Sequence, residues 1–189
     1  MFVYCQASAP SRIVIVSSGL HKYGCIDFDS LDGKRNYNSK RAYCDSKLAN
    51  NLFARELARR TAGSGISVYC LRPGLVFTEL GRHMALFSLA RYVLRPVVWL
   101  LVKSPHEGCQ TVLHCAMSEE LQDVSGRFYA NCREAPWSEV SLDDAVAVKL
   151  WNVSEELTGI KVSARWMCTA RYLNCCWSLA KCSANNRRR

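Results

Sequence analysis

Apolar residues along this chain fall into short unbroken runs and into longer stripes of helical period. The run Arg12 to Val16 (RIVIV) is β-branched and ends at Ser17-Ser18-Gly19. A run of that length without polar interruption suits a strand buried on both faces, as in a parallel sheet. From there to about Lys40 the chain carries Asp, Ser, Gly, Asn and Lys and reads as a loop, with Asp32-Gly33 as a turn. Arg41 to Arg60 reads as a helix, because Leu48 with Leu52, and Ala49 with Phe53 and Leu57, form one stripe. Asn38 or Ser39 is its N-cap and Gly63-Ser64-Gly65 its stop. Ile66 to Leu71 (ISVYCL) predicts a second strand, ended by Pro73-Gly74. Thr78 to Lys103, apolar and aromatic in mixed order, predicts one or two short helices. Pro105 to Met117 predicts another helix, Arg127 to Ala130 a third strand after Ser125-Gly126, and Leu142 to Leu157 a final amphipathic helix. Strands alternating with helices in this way argue for βαβ units and an α/β sheet.

At 189 residues, with 49% hydrophobic and 22% charged residues, the chain is long enough for one domain with a real core. The net charge of +9 changes this picture only locally. Residues 161–189 carry seven basic side chains and no acidic one, which leaves +2 for residues 1–160. Electrostatic steering to phosphate therefore concerns the tail alone, and nucleic acid is not an expected partner of the body. The eleven cysteines are odd in number and irregular in spacing, and no CxxC pair exists to organise zinc or redox chemistry. They read as small core hydrophobes in a reducing, intracellular compartment, with no metal site. The start, MFVYCQASAP, lacks the basic flank and long apolar stretch of a signal peptide. The most apolar window, Met84 to Val102, is broken by Arg91, Arg95 and Pro96. Each charge at a bilayer centre costs roughly 2.5–3.5 kcal/mol on insertion scales, so no spanning helix is expected. Asn152-Val153-Ser154 matches a glycosylation sequon but lies inside a predicted helix, and reads as accidental.

Chemistry enters with Tyr43-Cys44-Asp45-Ser46-Lys47. A phenol and an ammonium four residues apart share one helix face. A free phenol titrates near pH 10, and a neighbouring cation favours the phenolate. That is what a tyrosine needs to exchange a proton with an alcohol or carbonyl oxygen. The pair alone also fits an ordinary amphipathic surface helix. Two further features raise its meaning: the strand upstream ends in Ser17-Ser18, and the strand downstream ends in Pro73-Gly74-Leu75-Val76-Phe77-Thr78. Ligands of open parallel sheets bind beyond the carboxyl ends of the strands, where all three features would meet.

The SS end of IVIVSSGLH, the YxxxK of AYCDSKLANNLFARELA and the RPGLVFTEL segment together resemble the short-chain dehydrogenase/reductase family, from about Ser8 to Ile160. The longer stretch between serine and tyrosine, with DFDSL, and then EGCQTVLHCA, SGRFY and KLWNVSEELTGI, is most similar to the NADP-dependent retinol dehydrogenases of that family. The resemblance implies a partial Rossmann-type fold, the C-terminal half of the doubly wound, mainly parallel family sheet. It implies hydride transfer between NADP(H), rather than NAD(H), and a retinoid-like or other lipophilic alcohol or aldehyde. Tyr43 would be the proton donor and acceptor, Lys47 would hold the nicotinamide ribose and favour the phenolate, and Ser18 would hydrogen-bond the substrate oxygen. The sequence alone does not choose between Ser17 and Ser18; the family's spacing to the tyrosine selects Ser18. Pro73, Gly74, Val76 and Thr78 would line the nicotinamide end of the cofactor. The segment around Met84, Leu86, Phe87, Leu89 and Trp99 would be a substrate lid, or else a helix that simply covers the sheet. The resemblance also implies a homodimer through helices that include the Tyr43/Lys47 helix, and peripheral contact with the endoplasmic reticulum or another organelle membrane.

The chain departs from the family in three places. No TGxxxGIG turn is present to receive a pyrophosphate, since Gly19, Gly24 and Gly33 are not spaced for it. The NNAG strand and the asparagine of the family's catalytic tetrad are also missing, so the expectation is a truncated domain over 1–160 whose first residues lie in the helix before the first strand. That strand would then have an open apolar edge prone to self-pairing. Residues 161–189 leave the family pattern, with Trp166, Met167, Tyr172, Leu173, Cys176 and Trp177 among basic residues. They read as an unselected extension, with a basic amphipathic helix for acidic lipid or RNA as the other reading.

Overall fold

The computed structural model of the chain describes residues 2–31, 37–76 and 102–160. A short helix α1 (Phe2–Ala7) leads into strand β1 (Ser11–Val16). A single-turn 3-10 helix, Gly19–Tyr23, follows, and then the long helix α2 (Ser39–Arg60). Strand β2 (Ile66–Arg72), helix α3 (Pro105–Met117), strands β3 (Arg127–Ala130) and β4 (Arg133–Ala135), and helix α4 (Asp144–Thr158) complete the order. The sheet runs β1-β2-β3-β4; the first three strands are parallel and β4 is antiparallel to β3.

Local chemistry explains the boundaries. The Asn38 side chain accepts hydrogen bonds from the amides of Lys40 at 3.0 Å and Arg41 at 3.2 Å, so the N-cap of α2 is Asn38 and not Ser39. Ser104 and Glu107 form a capping box at the start of α3, with Pro105 in its first turn. Asp143 caps α4 through the Val146 amide at 3.0 Å, which starts that helix two residues later than the apolar pattern suggests. β4 was not expected. Its three residues, REA, carry no pattern of their own and are held by pairing with β3 across Asn131-Cys132, both at positive φ.

Alternation along β2 builds two cores. Val68 and Cys70 face α2 and α4, packing with Ala54, Leu57, Phe128 and Trp151. Tyr69 and Leu71 face the other way, against Cys115 of α3 with Leu121 and Tyr129. Helices thus cover both faces of a parallel sheet, the doubly wound arrangement expected, and the continuous apolar run of β2 follows from that double burial. Among the described residues β1 pairs only with β2, and Val16 at its end is 41% exposed.

α2 is held in register by a buried polar network. The Asn51 amide donates to Ser141 Oγ at 3.0 Å, and its carbonyl accepts from the Cys70 thiol at 3.3 Å. Arg55 donates to the Ser141 carbonyl at 2.6 Å and pairs with Asp144 at 2.9 Å. A satisfied network of this kind fixes one alignment of helix against sheet, because any slip leaves buried polar groups without partners.

Candidate active site

The carboxyl ends of β1 and β2 open on the same end of the sheet as the first turns of α2. β1 passes directly into Ser17 and Ser18, and the two serines have different work. Ser17 is buried; its amide donates to the Leu71 carbonyl at 2.7 Å, continuing the ladder, and its hydroxyl donates to the Lys47 carbonyl at 2.9 Å. Ser18 is half-buried, and its hydroxyl caps the Gly19–Tyr23 turn by accepting from the Leu20 amide at 3.3 Å. Because that bond uses a lone pair, the Ser18 hydroxyl proton remains available to a carbonyl oxygen. Ser17 therefore ties strand to helix, and Ser18 is the serine left for a ligand.

On α2, Tyr43 and Lys47 share a half-exposed face, with the Lys47 ammonium 5.5 Å from the centroid of the Tyr43 ring. Lys47 Nζ also reaches the Val16 carbonyl at 3.4 Å, an oxygen that Asn50 holds from one turn further along at 3.2 Å. Among the described residues the Tyr43 hydroxyl has no hydrogen-bond partner. Two contacts pin the turn that carries this pair. The Asp45 carboxylate accepts from the Cys25 amide at 2.7 Å. Gly24 lies so close to α2 that a Cβ there would be 2.6 Å from the Cys44 carbonyl oxygen and 2.9 Å from Leu48 Cβ.

After β2, Pro73 is half-buried and Gly74 is exposed with φ +92. Val76 makes a parallel bridge with Lys103, and its side chain packs on Gly108 of α3, where an added Cβ would be 2.5 Å from Val76 Cγ2. Gly108 is thus the reason the 73–76 turn can lie against the start of α3. Arg72, the last residue of β2, extends toward Gly19, where an added Cβ would be 3.4 Å from Arg72 Nη1. Lys47 and Arg72 give this end of the sheet a positive field suited to an anionic ligand. Thr78 and the residues around Met84 to Trp99 lie outside the described residues.

The structure therefore gathers Ser18, Tyr43, Lys47, Pro73, Gly74 and Val76 at the carboxyl ends of the parallel strands. Sequence reasoning weighed Ser17 only as the alternative to Ser18, and did not single out Asn50, Gly24, Arg72 or His21. The His21 ring is 1% exposed beneath the serine turn, and burial holds its pKa below 6.5 against a raising hydrogen bond with Ser18. The groups that would meet the nicotinamide-ribose end of a dinucleotide fit that role chemically: a phenol, an ammonium and a Pro-Gly turn open to solvent. No metal-binding cluster of three or more His, Cys, Asp or Glu side chains occurs among the described residues, and no helix there is long and apolar enough to cross a membrane.

Comparison with known proteins agrees with this fold. Residues 7–86 match the family model described as short chain dehydrogenase. The chain is 47% identical over 155 residues to retinol dehydrogenase 14 of Mus musculus, covering 82% of this chain and 46% of that protein. It is 45% identical over 159 residues to retinol dehydrogenase 13 of Homo sapiens, covering 82% and 48%. A crystal structure of an uncharacterized protein from Mycobacterium paratuberculosis aligns with a TM-score of 0.58 at 27% identity, over 81% of this chain and 52% of that one. The chain spans about half the length of the curated relatives it matches.

Proposed function

Since the chain belongs to the short-chain dehydrogenase family, we propose that it carries the proton-transfer part of an oxidoreductase that interconverts an alcohol and an aldehyde with NADP(H). The observation that carries this reading is the Tyr43/Lys47 face of α2 set beside Ser18 at the carboxyl ends of β1 and β2. In this reading Ser18 donates its hydroxyl proton to the substrate oxygen and orients it. Tyr43 gives a proton to that oxygen in the reducing direction and takes one in the oxidising direction. Lys47 holds the ribose hydroxyls, while Pro73, Gly74, Val76 and Thr78 border the nicotinamide. NADP(H) supplies or accepts the hydride when bound. The retinol dehydrogenases among the relatives favour a retinoid-like or other lipophilic substrate, and peripheral contact with a membrane belongs to the same proposal. The test is reduction of all-trans-retinal and of short-chain aldehydes with NADPH or NADH. Turnover restricted to NADH, or to short polar aldehydes, would count against the cofactor and substrate assignments.

One other reading is a non-catalytic family member that acts as a binding or dimerisation partner; among the described residues β1 pairs only with β2, which favours it. Titration of the 189-residue chain with NADPH, followed by nicotinamide fluorescence, separates the two. Saturable binding supports the oxidoreductase; its absence, together with a stable dimer, supports the partner.

A further inference from the structure

His21 is buried, with its ring edge-on to Phe128 at a centroid distance of 5.5 Å. Its Nδ1 lies 2.5 Å from the Ser18 carbonyl oxygen, and its backbone amide donates to the same oxygen at 3.2 Å. A carbonyl only accepts, so Nδ1 carries the proton. Nε2 is then an acceptor, and among the described residues it has no partner. An aliphatic side chain could fill this space without burying an orphan nitrogen, so the single bond the ring makes accounts for the presence of a polar group. That bond falls on the peptide that carries Ser18. The Ser18 carbonyl is gripped by two donors and the Ser18 hydroxyl caps the Leu20 amide, which holds the serine's backbone and side chain together and leaves its hydroxyl proton unused by these bonds.

We propose that His21 is a positioning residue for Ser18, working as a neutral Nδ1–H imidazole that locks the Gly19–Tyr23 turn. The proposal deepens the reading of Ser18 as the substrate-binding hydroxyl and rests on it for its functional meaning. A second proton on Nε2 would create a buried donor with no acceptor, close to the cations Lys22 and Arg72, which are the charges that act on the ring. Burial and these two cations therefore favour the neutral ring and hold its pKa below that of a free histidine.

The experiment uses the 189-residue chain labelled with 15N-histidine. Long-range 15N–1H correlation spectra should show His21 as the Nδ1–H tautomer at neutral pH, with its second protonation below that of a free histidine. An Nε2–H tautomer, or an ordinary titration near pH 6.5, overturns the proposal. His21→Phe should speed amide hydrogen exchange at Leu20 by about ten-fold, the worth of one hydrogen bond. His21→Asn, which can present an amide donor close to the Nδ1 position, should restore most of the protection. Equal Leu20 exchange in wild type and His21→Phe overturns the proposal, and the wild-type spectra decide it even if His21→Phe does not fold. These readouts do not depend on turnover: a correct tautomer with protected Leu20 in a chain that reduces no aldehyde contradicts the oxidoreductase reading and leaves the role of His21 in place.

Discussion

Alanine at Gly24 isolates one contact that brings the serine turn against the Tyr43/Lys47 helix. Gly24 has φ −80 and ψ 155, a backbone conformation that alanine adopts freely. The substitution should therefore stabilise the chain by about 0.4–1 kcal/mol through the unfolded state alone. Opposing that, the new Cβ would lie 2.6 Å from the Cys44 carbonyl oxygen, 2.9 Å from the Cys44 carbonyl carbon and 2.9 Å from Leu48 Cβ. Two of those three atoms are helix backbone, which cannot rotate aside as a side-chain end can. Overpacking of this kind costs about 1–3 kcal/mol, so the clash wins and the net loss is about 1–2 kcal/mol. In a urea titration the midpoint should fall by about 0.5–1 M with the slope unchanged. Because Cys44 sits between Tyr43 and Lys47, the relief of the clash also moves the pair away from Ser18, and a displacement of about 1 Å can cost about 100-fold in rate. Gly63→Ala serves as the comparison: its φ is +76 and an added Cβ there would meet nothing within 4 Å, so it tests backbone strain without a clash and leaves the site alone. A Gly24→Ala chain as stable as wild type, or more so, would refute the close-approach argument.

Other consequences follow from burial and charge. Leu52 is fully buried between α2 and α4, so Leu52→Ala should cost about 2–5 kcal/mol in chemical denaturation, and a loss under about 1 kcal/mol would mean that this core is not packed as described. Burial by itself would raise the Glu56 carboxyl, but hydrogen bonds from Arg59 and Arg60 outweigh it and hold the group below 4.5. Its contribution to stability is therefore present above pH 4.5 and is lost as pH falls through the lowered folded value. Glu56→Gln should flatten that part of the stability–pH curve, and an unchanged acid limb would contradict the pairing. Burial pushes the Cys70 thiol up to about 12 and the Cys115 thiol up to about 11. Both should resist thiol reagents at about pH 8 in the native chain and react after unfolding, as peptide mapping by mass spectrometry will show.

The fold was legible where the pattern is local. The RIVIV and ISVYCL runs, the Leu48/Leu52 stripe and Pro105 at a helix start each carry their own signal, and each became the element expected. β4 has no such signal, since its REA segment is a strand only because β3 pairs with it. The same division runs through the site. Tyr43 and Lys47 are visible because a four-residue spacing on a helix is a local property. Ser17 and Ser18 are equivalent in the sequence, and what separates them is a hydrogen bond to Lys47 thirty residues away. Gly24, Asn50 and His21 are likewise defined by long-range contacts, with α2, with the end of β1 and with β3, that no spacing rule reaches.

The role of Tyr43 is open to one direct comparison. Wild type and Tyr43→Phe should be measured side by side for NADPH-dependent reduction of a lipophilic aldehyde, with melting temperature recorded for both. The missing hydroxyl has no partner among the described residues, so the variant should melt as wild type does, within about 0.5 kcal/mol. Its kcat should fall by about 10²–10⁴-fold while KM for the cofactor changes by less than about three-fold. Turnover by Tyr43→Phe within about three-fold of wild type, or no turnover by wild type under saturating NADPH, would contradict the assignment of Tyr43 as the proton-transfer group.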